Sequence, residues 1–488
     1  MALKLAYFPA NNMKRIFHTL PFLFFATIWH GCMPTSTKPI NSLPINEIPP
    51  QWVALDHNNT LHDEGKPTYW VNSFEDNWLK EAVYTAWSAN PNLAAMAEQT
   101  IGRGEEAVIA GASILPQANV GVSGSRSKRN LIGFNFPNGS TSFTSESFSS
   151  GINLSWEIDL WGKLRDQRNS AKKRFEVAQA DYEGARLSLA GQVAKAWYGI
   201  VESEQQLELA EKMTDTFQKN QEFISNRFIN GLTSSLENDL ATSALASSQA
   251  TEIMRMRIRN TKIKEFHSLL GEFPHDDKDR NVSKSLPEIL LTPFPSTPAN
   301  VMKNRPDLLT ARLQLEASGY DLSAAKMSLL PTISLTGGPG SRSEEFGDLL
   351  DNRFRTWDIS GSVTQPLFNG GRIRASIRRA EAVKKAAEAN YRAVAIRAFT
   401  EVETLLANEE FLQKEEGYLQ NASLAAATAA KTSWDRYQRG VQGIFDTLES
   451  QRRAFDAESR LLKASRDRIF NRINLFLAVG TPALPIEP

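Results

Sequence analysis

The chain has 488 residues, enough for several domains, and carries 55 Lys+Arg against 55 Asp+Glu for a formal net charge of +0. That balance argues against nucleic acid as a partner, because phosphate binding needs an excess of Lys and Arg. The single Cys excludes an internal disulfide and the cysteine-based metal motifs, and beyond the N-terminal segment no apolar run is long enough to cross a bilayer as a helix.

The N-terminus reads as an export leader. Met13-Lys14-Arg15 is a short basic region, Ile16 to Trp29 is mostly apolar, and Gly31 directly precedes Cys32. Residues 1–31 are expected to be a signal peptide whose removal leaves Cys32 as the mature N-terminus. The order resembles a bacterial lipoprotein signal, which implies acylation of Cys32, with palmitate, and anchorage in membrane lipid. Trp29 and His30 stand where Leu and a small residue are usual in such signals. The stretch before Met13 reads as an upstream start or a long leader. Residues 32–75 follow as a tether and equatorial segment, crowded with Pro, Asn, Ser and Thr to about Pro67 and without sustained periodicity.

From there the chain is built twice. Asn90-Pro91-Asn92-Leu93 recurs as Arg305-Pro306-Asp307-Leu308, and Ile114-Leu115-Pro116 as Leu329-Leu330-Pro331, both 215 positions on. Lys163-Leu164-Arg165 recurs as Arg372-Ile373-Arg374, and Arg227-Phe228 with Gly231 as Arg436-Tyr437 with Gly440, both at 209. The expected divisions are a first repeat over 76–274, a linker over 275–304, a second repeat over 305–482 and a tail over 483–488. A period this long is duplication of a structural half, not a solenoid repeat.

Each half follows one plan. A helical stretch, Leu79 to about Ile114 and again Asp307 to Leu329, is ended by a Leu-Pro pair. Period-two alternation then predicts strands at about 117–129, 148–160, 332–340 and 356–368. Ile152, Leu154, Trp156 and Ile158, for example, alternate with Asn153, Ser155, Glu157 and Asp159. After the strands no proline occurs from Asn138 to Phe273 or from Leu367 to Thr481. An apolar stripe runs through Phe175, Ala178, Tyr182, Ala185, Leu189, Val193, Ala196 and Ile200, and on through Leu207, Ala210, Phe217, Ile224 and Phe228. A helix from Lys163 to Asn230 would be about 100 Å long, which demands coiled-coil packing. Gly231 and Gly440 break these helices, and a second helix returns to about Leu270 and Leu477.

Two-faced strands suit a soluble sandwich or a membrane barrel. A sandwich has no use for helices of this length. Four strands cannot close around water, and open sheet edges cannot sit in lipid, so a barrel would have to be shared in a symmetric oligomer. Phe134, Phe136, Phe143, Phe148, Trp156, Phe354, Trp357 and Phe368 would supply its aromatic rims.

The motifs Trp156-Glu157-Ile158-Asp159-Leu160-Trp161-Gly162 and Pro366-Leu367-Phe368-Asn369-Gly370-Gly371-Arg372 resemble those of the outer-membrane efflux proteins of the TolC and OprM type. So do the segments at Asn90 and Arg305 and the stretch from Arg436 to Asp446. The resemblance runs from about Trp70 to Gly480, and the lipoprotein-like leader favours the OprM (NodT) branch. It implies an α+β membrane protein: a homotrimer whose chains each give four strands to one twelve-stranded barrel, with helical hairpins forming a periplasmic tunnel. It implies a passive exit duct in the cell outer membrane, with a periplasmic adaptor and an inner-membrane pump of the resistance-nodulation-division class as partners. A type I protein-secretion duct shares this fold and stands as the alternative.

In the family an acidic residue just past the second tip narrows the entrance, and a Tyr before it helps hold the gate shut. The resemblance carries these roles to Asp446 and Tyr437, with Glu449 one helical turn on and Glu237 as the first-half counterpart of Asp446. Gly231 and Gly440 would be the tip turns. Gln442 stands where some members carry a basic partner, which puts a salt-bridged latch there in doubt.

Neither a phosphate-binding Gly-Lys-Ser/Thr loop nor a His-Glu-x-x-His motif occurs. No catalytic residue, cofactor or metal is expected. His267, His275, Asp276 and Asp277 read as a solvated loop, and Gly337-Gly338-Pro339-Gly340 as a turn. A coiled-coil scaffold with no membrane role remains as a rival, but it needs neither an export leader nor two-faced strands.

Overall fold

A computed structural model describes Trp52 and residues 69–130, 142–275, 285–289 and 297–485. The leader, Cys32, Phe134, Phe136, Asp276 and Asp277 lie outside the described residues. The helices are α1 (Asn77–Ala89), α2 (Pro91–Ala112), α3 (Lys163–Ile229), α4 (Ser235–Leu270), α5 (Pro298–Asn304), α6 (Pro306–Met327), α7 (Arg372–Gln438) and α8 (Ile444–Val479). The strands are β1 (Gln117–Asn130), β2 (Ser142–Ile158), β3 (Thr332–Ser343) and β4 (Arg355–Thr364).

The helical stretch expected from Leu79 to Ile114 is two helices, divided at Asn90. Pro91 has no N–H and its ring disfavours helical geometry for the residue before it. Asn90 accordingly takes an extended conformation, and its Oδ1 accepts from the amides of Asn92 and Leu93 to cap α2. The same side chain donates from Nδ2 to the Leu269 carbonyl near the end of α4, at 2.9 Å. Arg305 does the equivalent work in the second half, donating to the Ala478 carbonyl near the end of α8 at 2.7 Å. It also pairs with Asp307 and Glu401. The repeated Asn-Pro and Arg-Pro motifs are therefore clamps that tie the start of each half to the end of its returning helix.

α3 and α7 each run for 67 residues, about 100 Å. Among the stripe residues Leu189, Val193, Ile200, Leu207, Ala210, Phe217 and Ile224 are buried, whereas Phe228 is exposed near the tip. The largest apolar cluster gathers Trp70, Leu79, Trp197, Tyr198, Phe266, Ile469 and Ile473 from both halves. Buried charge also joins them: the Glu202 carboxylate takes Lys262 at 3.0 Å and Arg466 at 3.5 Å. Removing one member would strand a buried charge, which binds the two hairpins into one unit.

The strands form one antiparallel sheet in the order β1-β2-β3-β4. β2 begins at Ser142, ahead of the expected 148, and β4 ends at Thr364, short of 368, two residues before Pro366. Gly337-Gly338-Pro339-Gly340 is not a turn but the middle of β3. A Cβ on Gly338 would lie 1.8 Å from the Ile152 carbonyl oxygen, so glycine lets the β2 and β3 backbones meet there.

The register sorts the two faces. Val120 lies opposite Ile152, Leu154 opposite Gly337 and then Ile359, Trp156 opposite Leu335, and Ile333 opposite Val363. On the other face Ser123 and Ser149 bond across strands at 2.8 Å, and Ser334 and Ser362 at 2.7 Å. The apolar face is left open: Val120 is 80% exposed, Trp357 78%, Ile359 73% and Val363 69%. Trp156 and Trp357 both lie on this face, Trp156 opposite Leu335 and Trp357 opposite Pro339 four residues on along β3, with Trp156 donating its indole N–H to the Ile114 carbonyl at 2.8 Å. Phe148 lies on the apolar face opposite Gly124 and packs edge-on against Phe346, whereas Phe143 shares the face of Ser149 and Asn153.

Candidate functional site

The two tip turns share one geometry. At the end of α3 the Gly231 amide donates to the Phe228 carbonyl and the Leu232 amide to that of Arg227. At the end of α7 the Gly440 amide donates to Tyr437 and the Val441 amide to Arg436. Both are Schellman caps, and Gly231 (φ 69°) and Gly440 (φ 74°) supply the left-handed residue that such caps require.

The tips are held together from within. Tyr437, in the last turn of α7, is buried and donates its hydroxyl to Glu237 Oε2 in the first turn of α4 at 2.9 Å. Thr233 donates to the same carboxylate oxygen. Burial, and then the adjoining Glu237 carboxylate, push the Tyr437 hydroxyl up to about 12. Beneath this bond Phe217, Ile224, Ala241, Ile444 and Leu448 close an apolar cluster drawn from all four long helices. Trp434 and Phe223 pack against the Tyr437 ring, and the Arg227 guanidinium lies 5.9 Å from its centroid. The first hairpin is thus latched to the second through one phenol and one carboxylate.

The remaining predicted gate residues part company. Asp446, in the first turn of α8, is exposed, and its carboxylate makes no hydrogen bond or ion pair among the described residues. Glu449 is engaged: Arg452 and Arg453 grip its carboxylate at 2.9 and 2.8 Å and hold it down at about 2. Asp446 therefore presents an open negative charge, while Glu449 sits in a cluster with two arginines, of which Arg452 also pairs with Asp456 at 3.0 Å. Gln442 turns inward and donates to Ser433 Oγ at 2.5 Å. Sequence reasoning missed Arg452 and Arg453 as partners, although their spacing three and four residues after Glu449 is the ordinary signature of a helical ion pair. Thr233, Trp434 and Arg227 carried no local signal, since only the meeting of two hairpins brings them to Tyr437.

A family model described as "Outer membrane efflux protein" matches residues 82–272 and 297–481. The chain belongs to the outer membrane efflux protein family. It is 28% identical over 370 residues to the outer membrane protein OprJ of Pseudomonas aeruginosa, covering 75% of this chain and 76% of that one. It is 25% identical to the cation efflux system protein CusC of Escherichia coli K12, over 94% of this chain and 98% of the relative. The crystal structure of a membrane protein from Pseudomonas aeruginosa superposes with a TM-score of 0.82 at 26% identity, covering 92% of this chain and all of that one. The open state of the Neisseria gonorrhoeae MtrE outer membrane channel shares the fold, with a TM-score of 0.78 at 23% identity. The fold is thus that of the outer-membrane efflux channels: mostly helical, with one four-stranded sheet per chain.

Proposed function

We propose that the chain is the outer-membrane exit duct of a tripartite efflux pump, three copies closing a twelve-stranded barrel above a helical tunnel. The observation that carries this is the sheet. Its apolar face is exposed and carries Trp156 and Trp357, its other face is lined with Ser, Thr and Asn, and β1 and β4 have no strand partner beyond them among the described residues. Water punishes the first face and lipid punishes the open edges. Copies of the same sheet joined edge to edge satisfy both, with the Ser-rich face towards a wet lumen. None of the described helices is long and apolar enough to cross a membrane, so the strands would carry the membrane crossing.

On this reading the Gly231 and Gly440 tips form the periplasmic entrance, where an adaptor docks and an inner-membrane pump of the resistance-nodulation-division class delivers cargo. The Tyr437–Glu237 bond holds the entrance shut, and Asp446 repeats around the threefold axis as an acidic ring that favours cations. Cys32, acylated, adds a lipid anchor. The efflux names of the relatives favour small-solute export over a protein-secretion duct.

Single-channel recording of the purified protein in planar bilayers tests the proposal. Wild type should form stable cation-preferring pores, Asp446→Asn should lose much of that preference, and Glu449→Gln should change it little. Folded protein that forms no pore would defeat the duct. Pores indifferent to Asp446→Asn would return that residue to ordinary surface.

A further inference from the structure

The polar cluster read from the sequence as a solvated loop is arranged otherwise. His267 is not in the loop: it occupies the last turn of α4 and is fully buried. Gly271 then turns the chain back (φ 79°), with the Glu272 amide donating to the His267 carbonyl at 2.9 Å. This cap returns the Glu272 carboxylate to the helix end, where Oε2 lies 3.2 Å from His267 Nδ1. His275 folds back as well. Its ring centroid sits 4.1 Å from that of His267, at 69° to it. One donor atom from each of His267, Glu272 and His275 falls within 4.8 Å of the other two.

From this convergence we infer that the C-terminal end of α4 is a binding site for a divalent transition-metal ion of the zinc type. Two imidazoles and one carboxylate are the donor set such ions take, with water completing a tetrahedron. Donors about 2.1 Å from a tetrahedral ion stand roughly 3.4 Å from one another. The His267–Glu272 pair already has that spacing, and His275 needs only a small side-chain movement to join them. Its orientation suits the task. His275 Nδ1 lies 3.2 Å from the Phe273 carbonyl; with the proton on Nδ1, Nε2 carries the lone pair, and the carbonyl fixes the ring as backbone acceptors do for metal-bound histidines. Glu272 and His275 are exposed while His267 is buried, which gives the ion a route in from solvent and a fixed ligand at the bottom.

The site is separate from the gate. α4 has 36 residues, so the cluster lies about 50 Å along that helix from the Gly231 turn. A bound ion there would pin the segment that leaves the first repeat to the end of its last helix.

The test uses the full chain purified in detergent, without a polyhistidine tag and after chelator treatment. Equilibrium dialysis against Zn2+ should show one tightly held ion per chain. His275→Ala and Glu272→Gln, both at exposed positions that do not threaten folding, should each weaken it by about tenfold or more. Co2+ in place of Zn2+ should give the visible absorption of a low-coordinate site in wild type, and neither variant should reproduce it. Stoichiometric binding that both variants retain unchanged would overturn the assignment and place the ion elsewhere, as would folded wild-type protein that binds no ion.

Discussion

Tyr437→Phe removes one hydroxyl from the tip and leaves the apolar packing of the ring in place. What is lost is a hydrogen bond to a carboxylate, an interaction that contributes about 1.5–3 kcal/mol when well shielded. The phenol is buried, but Glu237 is only half-buried and keeps Thr233 as a second donor. Water can therefore replace part of what the phenol supplied, which brings the loss to or just below the bottom of that range, about 1–1.5 kcal/mol per chain. That is a shift of roughly five- to tenfold in the balance between latched and released hairpins. In a threefold assembly with independent latches the shifts multiply. Open probability in planar bilayers should rise accordingly, and cells carrying the variant should admit bulky antibiotics that the closed tip excludes. Glu237→Gln keeps an acceptor and should open the tip less. The double variant should cost no more than the larger single effect if the two groups act as one bond. A Tyr437→Phe channel with wild-type open probability, or a double variant whose effects simply add, would refute the latch. The pH dependence has a definite sign. The neutral phenol is favoured in the closed tip, so its contribution is full below the ordinary value of 10.0 and is lost as pH rises through about 12. The latch should therefore hold steady from pH 6 to 9, as read by open probability.

Gly338→Ala should abolish β2–β3 pairing, because its Cβ would meet the Ile152 carbonyl, whereas Gly361→Ala, with nothing within 4 Å, should be tolerated. Heat-modifiable migration on gels should disappear for the first and persist for the second. Asn90→Ala removes both a helix cap and a clamp on the Leu269 carbonyl. It should destabilise the chain by about 2–3 kcal/mol, seen as a lower unfolding temperature by circular dichroism. Cys32→Ser should abolish incorporation of radiolabelled palmitate while the protein still fractionates with the outer membrane, as the proposed barrel requires. Label retained in Cys32→Ser would place acylation elsewhere.

Much of the architecture is legible because each element carries its own period. The alternation through Ile152 to Asp159 sets the two faces of β2, and the register keeps them. The proline-free stretches mark α3, α4, α7 and α8, the stripe through Phe175 to Phe228 marks α3 as one long helix, and the Gly231 and Gly440 turns are visible as breaks. Two things escape a linear reading, each for a physical reason. Gly337 to Gly340 has turn composition, but the strands on either side need backbones without Cβ atoms, and only the paired sheet shows that requirement. Asn90-Pro91 lies inside an amphipathic stretch, and the missing proline N–H outweighs the period there.

The gate divides along the same line. Asp446 and Tyr437 came from a resemblance and not from any local pattern, and what each can do depends on the neighbours that folding supplies. Glu449 shows why. On spacing it is a twin of Asp446, one turn further along the same helix, yet Arg452 and Arg453 hold it as a paired surface acid. A carboxylate already gripped by two guanidiniums repels little and attracts little, so an acidic constriction built from this chain rests on one residue per copy. Glu237 was expected to repeat the part of Asp446, and at its equivalent position it instead accepts the Tyr437 hydroxyl. On the proposed reading the duplicated halves divide the work: the first-half acid fastens the hairpins, and the second-half acid stands open at the entrance. A permeability defect without a change in ion preference should therefore follow from Glu237→Gln, and a changed preference without a permeability defect from Asp446→Asn. If both variants altered both properties alike, the two acids would be acting as one group and the division would be wrong.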